Sequence, residues 1–138
     1  MTPTTSPYAG RIHSLLAEQG YEVTEAAPDQ LRIRDVDSGV SLQVVIEGDI
    51  AYFSLPCVTV AKAKVTAPVM TSLLDASNGI STSYFQLYDQ DGKTTISLNN
   101  FCKLQDMGAD DEDDVLSCVH FLLVDVMSAR RLIGSLGA

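Results

Sequence analysis

Residues Asp106 to Ile133 have the sequence DMGADDEDDVLSCVHFLLVDVMSARRLI, in which an acidic run leads directly into an apolar helical pattern. Carboxylates are favoured at a helix N-terminus because unpaired N–H groups and the helix dipole face them there. Apolar residues then recur at spacings of four and three, which is typical of one helix face. They are Val115, Val119, Leu122, Val126, Ala129 and Ile133. The stretch therefore predicts a long amphipathic helix from about Asp111 to Leu132.

This helix carries more apolar surface than packing against one sheet face requires. A second stripe lies beside the first and consists of Leu116, Leu123 and Met127. Three further apolar residues fall outside both stripes: Phe121, Val124 and Leu132. Two interpretations stay open. Either the helix is sunk deeply among the other elements, or its second stripe contacts another subunit or a client protein.

Upstream of the helix, alternating apolar and polar residues predict two groups of strands. The first group covers Leu31–Arg34, Val40–Ile46 and Ile50–Val58, and the second is a hairpin of Ser83–Tyr88 and Lys93–Phe101. Two shorter helices are expected, one from Ser6 or Pro7 to Gly20 and one from Thr66 to Asn78. A further short strand is possible over Tyr21–Thr24.

Hairpin connections dominate this pattern, so the sheet is expected to be antiparallel, with one face in the core and one face wetter. The prediction is an α+β, two-layer fold with about five strands, helices on one face, and the order α-β-β-β-α-β-β-α. Residues 1–7 are expected to form a loose N-terminal tail and residues 8–136 a single domain, which suits a chain of 138 residues.

The composition argues against several classes of function. The net charge of −9 includes only nine basic residues, whereas nucleic acids and anionic membranes require basic surfaces. No apolar run is long enough to span a bilayer, and no signal peptide is visible, so a cytoplasmic location is expected. Three widely spaced cysteines without a C-x-x-C motif predict free, buried or half-buried thiols.

No catalytic or metal-binding constellation is visible in the sequence. The Asp89-x-Asp91-Gly92 segment resembles the start of a calcium loop, but its sixth position is Thr94 and its twelfth is Asn100, so a hairpin turn is favoured. The acidic run is interpreted as a solvated helix start rather than a specific metal site. The two histidines, His13 and His120, lack a nucleophile at a suitable spacing. The sequence therefore predicts a protein that is not an enzyme and needs no cofactor.

Several segments resemble the YbjN-like domain family, whose fold is that of type III secretion chaperones. The resemblance lies in DQLRIR at residues 29–34, in SNG at residues 77–79, in the hairpin of YFQLY and ISL, and in the acidic run before the last helix. It covers roughly residues 10–135. It implies a small, acidic, cytosolic protein that is often dimeric, binds other proteins and catalyses nothing.

The favoured hypothesis is a dimeric chaperone or adaptor whose partners are a second copy of itself and an unidentified protein client. The client would be held by apolar helix surface, by a strand edge, or by both. The candidate contacts are Leu116, Leu123 and Met127 on the last helix, Val69, Met70 and Leu73 on the short helix, and Tyr52, Tyr84 and Tyr88 on the outer sheet face.

The alternative hypothesis is a small-ligand sensor or regulatory domain. Its pocket would lie between sheet and helices, and Tyr84, Tyr88, Asn99 or Asn100 would orient the ligand.

Overall fold

The computed structural model describes residues 7–135, which form an α+β fold with a six-stranded antiparallel sheet and three α-helices. The helices are α1 (Pro7–Glu18), α2 (Ala67–Leu74) and α3 (Ala109–Ser135). The strands are β1 (Glu22–Ala27), β2 (Gln30–Arg34), β3 (Ser41–Glu47), β4 (Ile50–Ala61), β5 (Tyr84–Gln90) and β6 (Lys93–Lys103). A single 3₁₀ turn over Lys62–Lys64 precedes α2. The strand order in the sheet is β1-β2-β3-β4-β6-β5.

The predicted fold class is confirmed, with one difference in the number of strands. The optional strand at Tyr21–Thr24 is a full strand, β1, which raises the count from about five to six. Of the expected loose tail, residues 1–6 lie outside the described residues, and Pro7 is the first residue of α1. That the chain forms one domain from residue 8 to residue 136 stays a prediction, since its last residue also lies outside the described part.

The described residues separate into two compact units. The first unit holds the residues up to Ser54 together with Phe101–His120, and the second holds Leu55–Asn100 together with the rest of α3 from Phe121. In the first unit, α1 packs against β1 and β2, and paired strand residues align their apolar side chains on one face of the sheet. These pairs are Leu31 with Val44, Ile33 with Leu42, and Val44 with Phe53, all of them buried.

The second unit has a hydrophobic core of its own. Its fully buried members come from α2, β6 and α3, and they are Val69, Leu73, Ile96 and Ile133. Partly buried neighbours complete the cluster: Cys57, Val58, Val65, Phe85 and Leu132. The buried Asp125 of α3 accepts hydrogen bonds from the hydroxyls of Thr82 (2.7 Å) and Ser83 (2.9 Å), which fixes the segment before β5 to this helix.

A tight turn joins β5 to β6 and confirms the predicted hairpin. Its two loop residues, Asp91 and Gly92, have φ angles of 53° and 76°, and positive φ at both central positions is the signature of a type I′ turn. Asp89 pairs with Thr94 across the strands and also accepts a hydrogen bond of 2.6 Å from its hydroxyl. The predicted four-residue turn is therefore shorter, because Asp89 and Gln90 belong to β5.

Within residues 7–135, no helix combines the length and the apolar composition that crossing a bilayer requires.

Candidate protein-binding surfaces

The first apolar stripe of α3 is core. All six of its residues are buried, with exposed fractions of 5% or less: Val115, Val119, Leu122, Val126, Ala129 and Ile133. The spacing of four and three therefore identified the buried face of the helix correctly. This leaves the second stripe, Phe121 and Val124 as the apolar part of α3 that is available to a partner.

The exposed apolar residues of α3 differ in part from those expected. Leu116 and Leu123 are half-buried, whereas Met127 is 56% exposed. Phe121 and Val124, which lie outside both predicted stripes, are 39% and 56% exposed. Phe121, Val124 and Met127 follow one another at intervals of three residues and so lie on neighbouring turns of one side of the helix. We call these three residues the α3 apolar face.

Helix α2 is divided between core and surface. Val69 and Leu73 are buried in the cluster of the second unit, so their side chains serve the protein's own core. Met70 and Leu74 are exposed, Leu74 to 80%. Leu74 was missed by the sequence analysis, although its position next to Leu73 at the end of a short helix indicated a different side of that helix.

The predicted tyrosines of the outer sheet face are exposed. In the first unit, Tyr52 lies beside the exposed Phe101, with ring centroids 6.1 Å apart. In the second unit, Tyr84 and Tyr88 are both exposed on β5. The role of all nine predicted contact residues in binding a partner stays a prediction.

Strand β5 is an edge of the sheet and is exposed along almost its whole length. Phe85 is its only half-buried residue, and the other six residues are exposed. Leu87 lies on the same face as Phe85 but is 40% exposed. An edge strand presents N–H and C=O groups that a further strand can pair with.

The charge of the chain is divided unequally between the two units. The first unit contains fourteen of the 18 acidic residues and four of the nine basic residues, a net charge of −10. The second contains the remaining four acidic and five basic residues, a net charge of +1. The α3 apolar face, the exposed residues of α2 and strand β5 all belong to this nearly neutral unit.

The acidic run at the start of α3 contains one buried member, Asp111, which is only 3% exposed. Its carboxylate accepts hydrogen bonds from the backbone N–H groups of Gln105 (2.7 Å), Asp106 (3.0 Å) and Met107 (2.7 Å). The other carboxylates of Asp110–Asp114 are exposed. Asp111 therefore holds the turn before the helix, while its neighbours are solvated as predicted.

The three cysteines are thiols and not disulfides, as expected, but two of them lie together. The thiol of Cys102 on β6 is hydrogen-bonded to that of Cys118 on α3, which raises the pKa of Cys102 and lowers the pKa of Cys118. Burial raises the pKa of the third thiol, Cys57. Cys102 and Cys118 are sixteen positions apart in the chain. This spacing does not predict that the two thiols meet, because their contact depends on how α3 packs on the sheet.

The side chains that resembled metal ligands in the sequence form contacts within the protein or lie apart. Asp89 of the rejected calcium motif forms an ion pair of 3.4 Å with Lys62 in addition to its bond with Thr94. Among residues 7–135, no three His, Cys, Asp or Glu side chains are arranged so that they could hold a metal ion.

Two clefts of ligand size lie in the first unit. One, of about 480 Å³, is lined by α1 and the start of α3, including Arg11, Glu18 and Glu112. The other, of about 460 Å³, lies around Tyr21 and Asp35. The residues expected to orient a ligand, Tyr84, Tyr88, Asn99 and Asn100, line neither cleft. Asn99 and Asn100 are consecutive on β6, so they point to opposite faces of the sheet.

Comparison with known proteins identifies the fold. No protein-family model and no curated protein sequence matches this chain significantly. The crystal structure of YbjN from E. coli, which has been proposed to regulate transcription, matches with a TM-score of 0.66 and 12% identity over 91% of each chain. The heterodimeric ExoU-SpcU complex from the type III secretion system of Pseudomonas aeruginosa contains a chain that matches with a TM-score of 0.58 and 19% identity. This match covers 88% of the present chain and 96% of the other.

These similarities bear on the fold. The chain has a YbjN-like, type III secretion chaperone-like fold, as the sequence resemblance implied. The second of these structures is a complex between proteins, so a similar fold occurs in a protein that binds another protein.

Proposed function

We propose that this chain is a non-catalytic protein-binding module of the chaperone or adaptor type, which acts in the cytoplasm as a homodimer. The observation that carries the proposal is the α3 apolar face, where Phe121, Val124 and Met127 are exposed on one side of a helix whose opposite side forms the core. Exposed apolar groups at regular helical spacing suit a partner that places its own apolar side chains against them.

The charge of the whole chain and the composition of this surface indicate the kind of client. The chain carries a net charge of −9, so long-range attraction favours a basic segment. Methionine is flexible and polarisable, which allows Met127 to adapt to different apolar side chains. The proposed client is an amphipathic, basic segment with apolar residues three or four positions apart.

A peptide-binding measurement tests this proposal. The probe is a fluorescein-labelled basic peptide with leucines at helical spacing, and fluorescence anisotropy reports its binding. A second peptide of the same composition in scrambled order has the same charge but no apolar face. The natural chain is expected to bind the patterned peptide more tightly than the scrambled one.

Two variants of equal charge separate apolar contact from charge attraction. Val124→Asp places a carboxylate in the α3 apolar face, whereas Thr71→Asp adds the same charge at an exposed position of α2. Val124→Asp is expected to weaken binding about tenfold, which corresponds to roughly 1.4 kcal/mol, and Thr71→Asp is expected to leave it nearly unchanged. Equal effects of the two variants, or equal binding of both peptides, would contradict the proposal.

A second candidate function rests on the cleft lined by Arg11, Glu18 and Glu112. Its volume of about 480 Å³ lies within the range of small-molecule sites, and the polar side chains at its rim could orient a ligand. A ligand-sensing domain should show a rise in melting temperature with a member of a metabolite panel, and Ser14→Trp, which fills the same cleft, should abolish that rise. An unchanged melting temperature across the panel would remove this candidate.

A further inference from the structure

The two edges of the sheet, β1 and β5, differ in their protection against pairing with another strand. The β1 edge carries the exposed carboxylates of Glu22 and Glu25, and its register shifts between Glu25 and Ala27. Charged side chains and bulges are the features that keep edge strands from pairing. Strand β5 keeps an unbroken register with β6 over all seven of its residues, and its segment Tyr84–Tyr88 contains no charged residue and no proline.

The segment Tyr84–Tyr88 has the sequence YFQLY, which is nearly the same in both directions. If two copies of β5 pair in antiparallel orientation about Gln86, Tyr84 lies opposite Tyr88 of the second copy. In the same register, Phe85 lies opposite Leu87 and Gln86 lies opposite Gln86. Aromatic and apolar pairs directly across two strands stabilise a sheet, and a two-fold contact requires a surface that is complementary to itself.

In this pairing, apolar side chains lie against apolar ones and polar side chains against polar ones. Phe85 contacts the hydrophobic cluster of the second unit, and Leu87 lies on the same face but is 40% exposed. Placing Leu87 opposite Phe85 of the second copy covers its exposed surface with an apolar side chain. On the outer face, the Tyr88 hydroxyl donates a 2.5 Å hydrogen bond to Gln86 Oε1, so the polar groups at the centre of the pair lie together.

The charge near β5 is compatible with a second copy as the occupant of this edge. Two chains of net charge −9 repel one another, but β5 belongs to the unit whose net charge is +1. Asp89, which follows this neutral segment directly in the chain, is paired with Lys62 at 3.4 Å. Two copies that meet at Tyr84–Tyr88 therefore approach where repulsion between them is small, and salt screens the more distant charges beyond about 8–10 Å.

We infer that β5 is the contact between two copies of this chain, with Gln86 on the two-fold axis, so that their sheets join edge to edge. This inference rests on the proposed homodimer and specifies where the dimer forms.

The test uses charge at the axis and reads the mass in solution by sedimentation velocity over a dilution series. Gln86→Lys places two ammonium groups opposite each other, and Gln86→Glu places two carboxylates there, so each variant alone is expected to dimerise at least about tenfold more weakly. An equimolar mixture of the two variants pairs lysine with glutamate and is expected to restore dimers to nearly the level of the natural chain.

Two controls accompany the mixture. Thr24→Lys adds the same charge at an exposed position of the β1 edge and is expected to leave the dimer unchanged. The melting temperature of each Gln86 variant, measured where the natural chain is monomeric, is expected to equal that of the natural chain, since the Gln86 side chain is exposed.

The outcomes separate this inference from the proposed function. A natural chain that is monomeric at all concentrations would overturn both the homodimer and its placement at β5. A natural dimer that Gln86→Lys does not weaken would overturn the β5 contact and keep the homodimer. Weakened single variants without recovery in the mixture would overturn the two-fold register about Gln86.

Discussion

Among single residues, Asp111 has the clearest structural role in the acidic run. Burial alone would raise the pKa of its carboxyl, but the hydrogen bonds from the backbone N–H groups of Gln105, Met107 and Asp106 outweigh that effect and hold the pKa below its ordinary value. These N–H groups belong to the turn that leads from β6 into α3. A carboxylate that binds three of them fixes the direction in which the helix starts.

Replacing this carboxylate is expected to destabilise the protein. Asp111→Ala leaves three N–H groups without their acceptor, and an unsatisfied buried polar group costs about 1–3 kcal/mol. Urea denaturation at neutral pH measures the loss of unfolding free energy. Asp113→Ala is the matched control, because Asp113 is an exposed aspartate of the same acidic run near the start of α3. It is expected to change the free energy of unfolding by less than about 0.5 kcal/mol.

The lowered pKa of Asp111 also predicts a dependence on pH. The pKa is lower in the folded than in the unfolded chain, so the stabilisation is complete above the unfolded value of about 3.9 and is lost as the pH falls through the lower folded value. The difference in urea midpoint between the natural chain and Asp111→Ala is therefore expected to shrink below about pH 4. A difference that stays constant down to pH 2 would show that the ionised carboxylate is not the stabilising species.

At the scale of elements, α3 has two sides with different tasks. Leu122 is completely buried, whereas Val124, two residues later, is 56% exposed. The buried side stabilises the fold, and the exposed side carries the apolar surface that the proposed client would contact. The same kind of substitution should therefore change the free energy of unfolding very differently at neighbouring positions of this helix.

A pair of alanine substitutions measures this difference. Leu122→Ala is expected to lower the unfolding free energy by about 2–5 kcal/mol, because it removes buried methyl groups and leaves a cavity. Val124→Ala is expected to change it by no more than about 0.5 kcal/mol while weakening the binding of the patterned peptide. Similar losses of stability in both variants would mean that Val124 is also packed in the core.

The sequence was sufficient for those elements whose pattern is local. The spacing of Val115, Val119 and Leu122 identifies the buried side of α3, and the alternation in YFQLY identifies β5, because periodicity follows directly from backbone geometry. The pairing of β4 with β6, which makes β5 an edge, joins segments about 40 residues apart in the chain and leaves no periodic signal.

The candidate surfaces were predictable only in part for the same reason. Met127 was identified because it belongs to a stripe, whereas Phe121 and Val124 share a side of the helix with polar residues such as His120 and Arg131. Val69 and Leu73 have the same apolar character as Met70, and only the packing of α2 on Ile96 shows which of them face inward. Exposure is a property of the neighbours of a residue and cannot be obtained from its own type.

At the scale of the whole molecule, the unequal charge of the two units affects the proposed association with partners. A net charge of −10 in the first unit and +1 in the second means that most of the chain repels anions and attracts cations. The surfaces proposed for the second copy and for the client lie in the nearly neutral unit. Association with either proposed partner is therefore expected to depend on apolar contact at short range and on the net charge at long range.

Salt is expected to affect the two proposed associations in opposite directions. Raising NaCl from about 0.05 M to about 0.5 M shortens the screening length severalfold. Screening reduces the repulsion between two acidic chains, so the dimer should become tighter, while it reduces the attraction of a basic peptide, whose affinity should fall. Sedimentation velocity measures the dissociation constant of the dimer, and fluorescence anisotropy measures that of the peptide complex. A change in the same direction for both constants would contradict this account.

The protected edge at β1 has a consequence for the size that assemblies of this chain can reach. A sheet with two open edges could add copies at both ends and grow into a fibre, since each added copy would present a new edge. If two copies of this chain pair at β5 as inferred, the pairing uses the open edge of both copies, and the outermost strands are then the two β1 edges with Glu22, Glu25 and the irregular register. Edge pairing therefore closes at two copies, and a high concentration of the protein should yield more dimers rather than filaments.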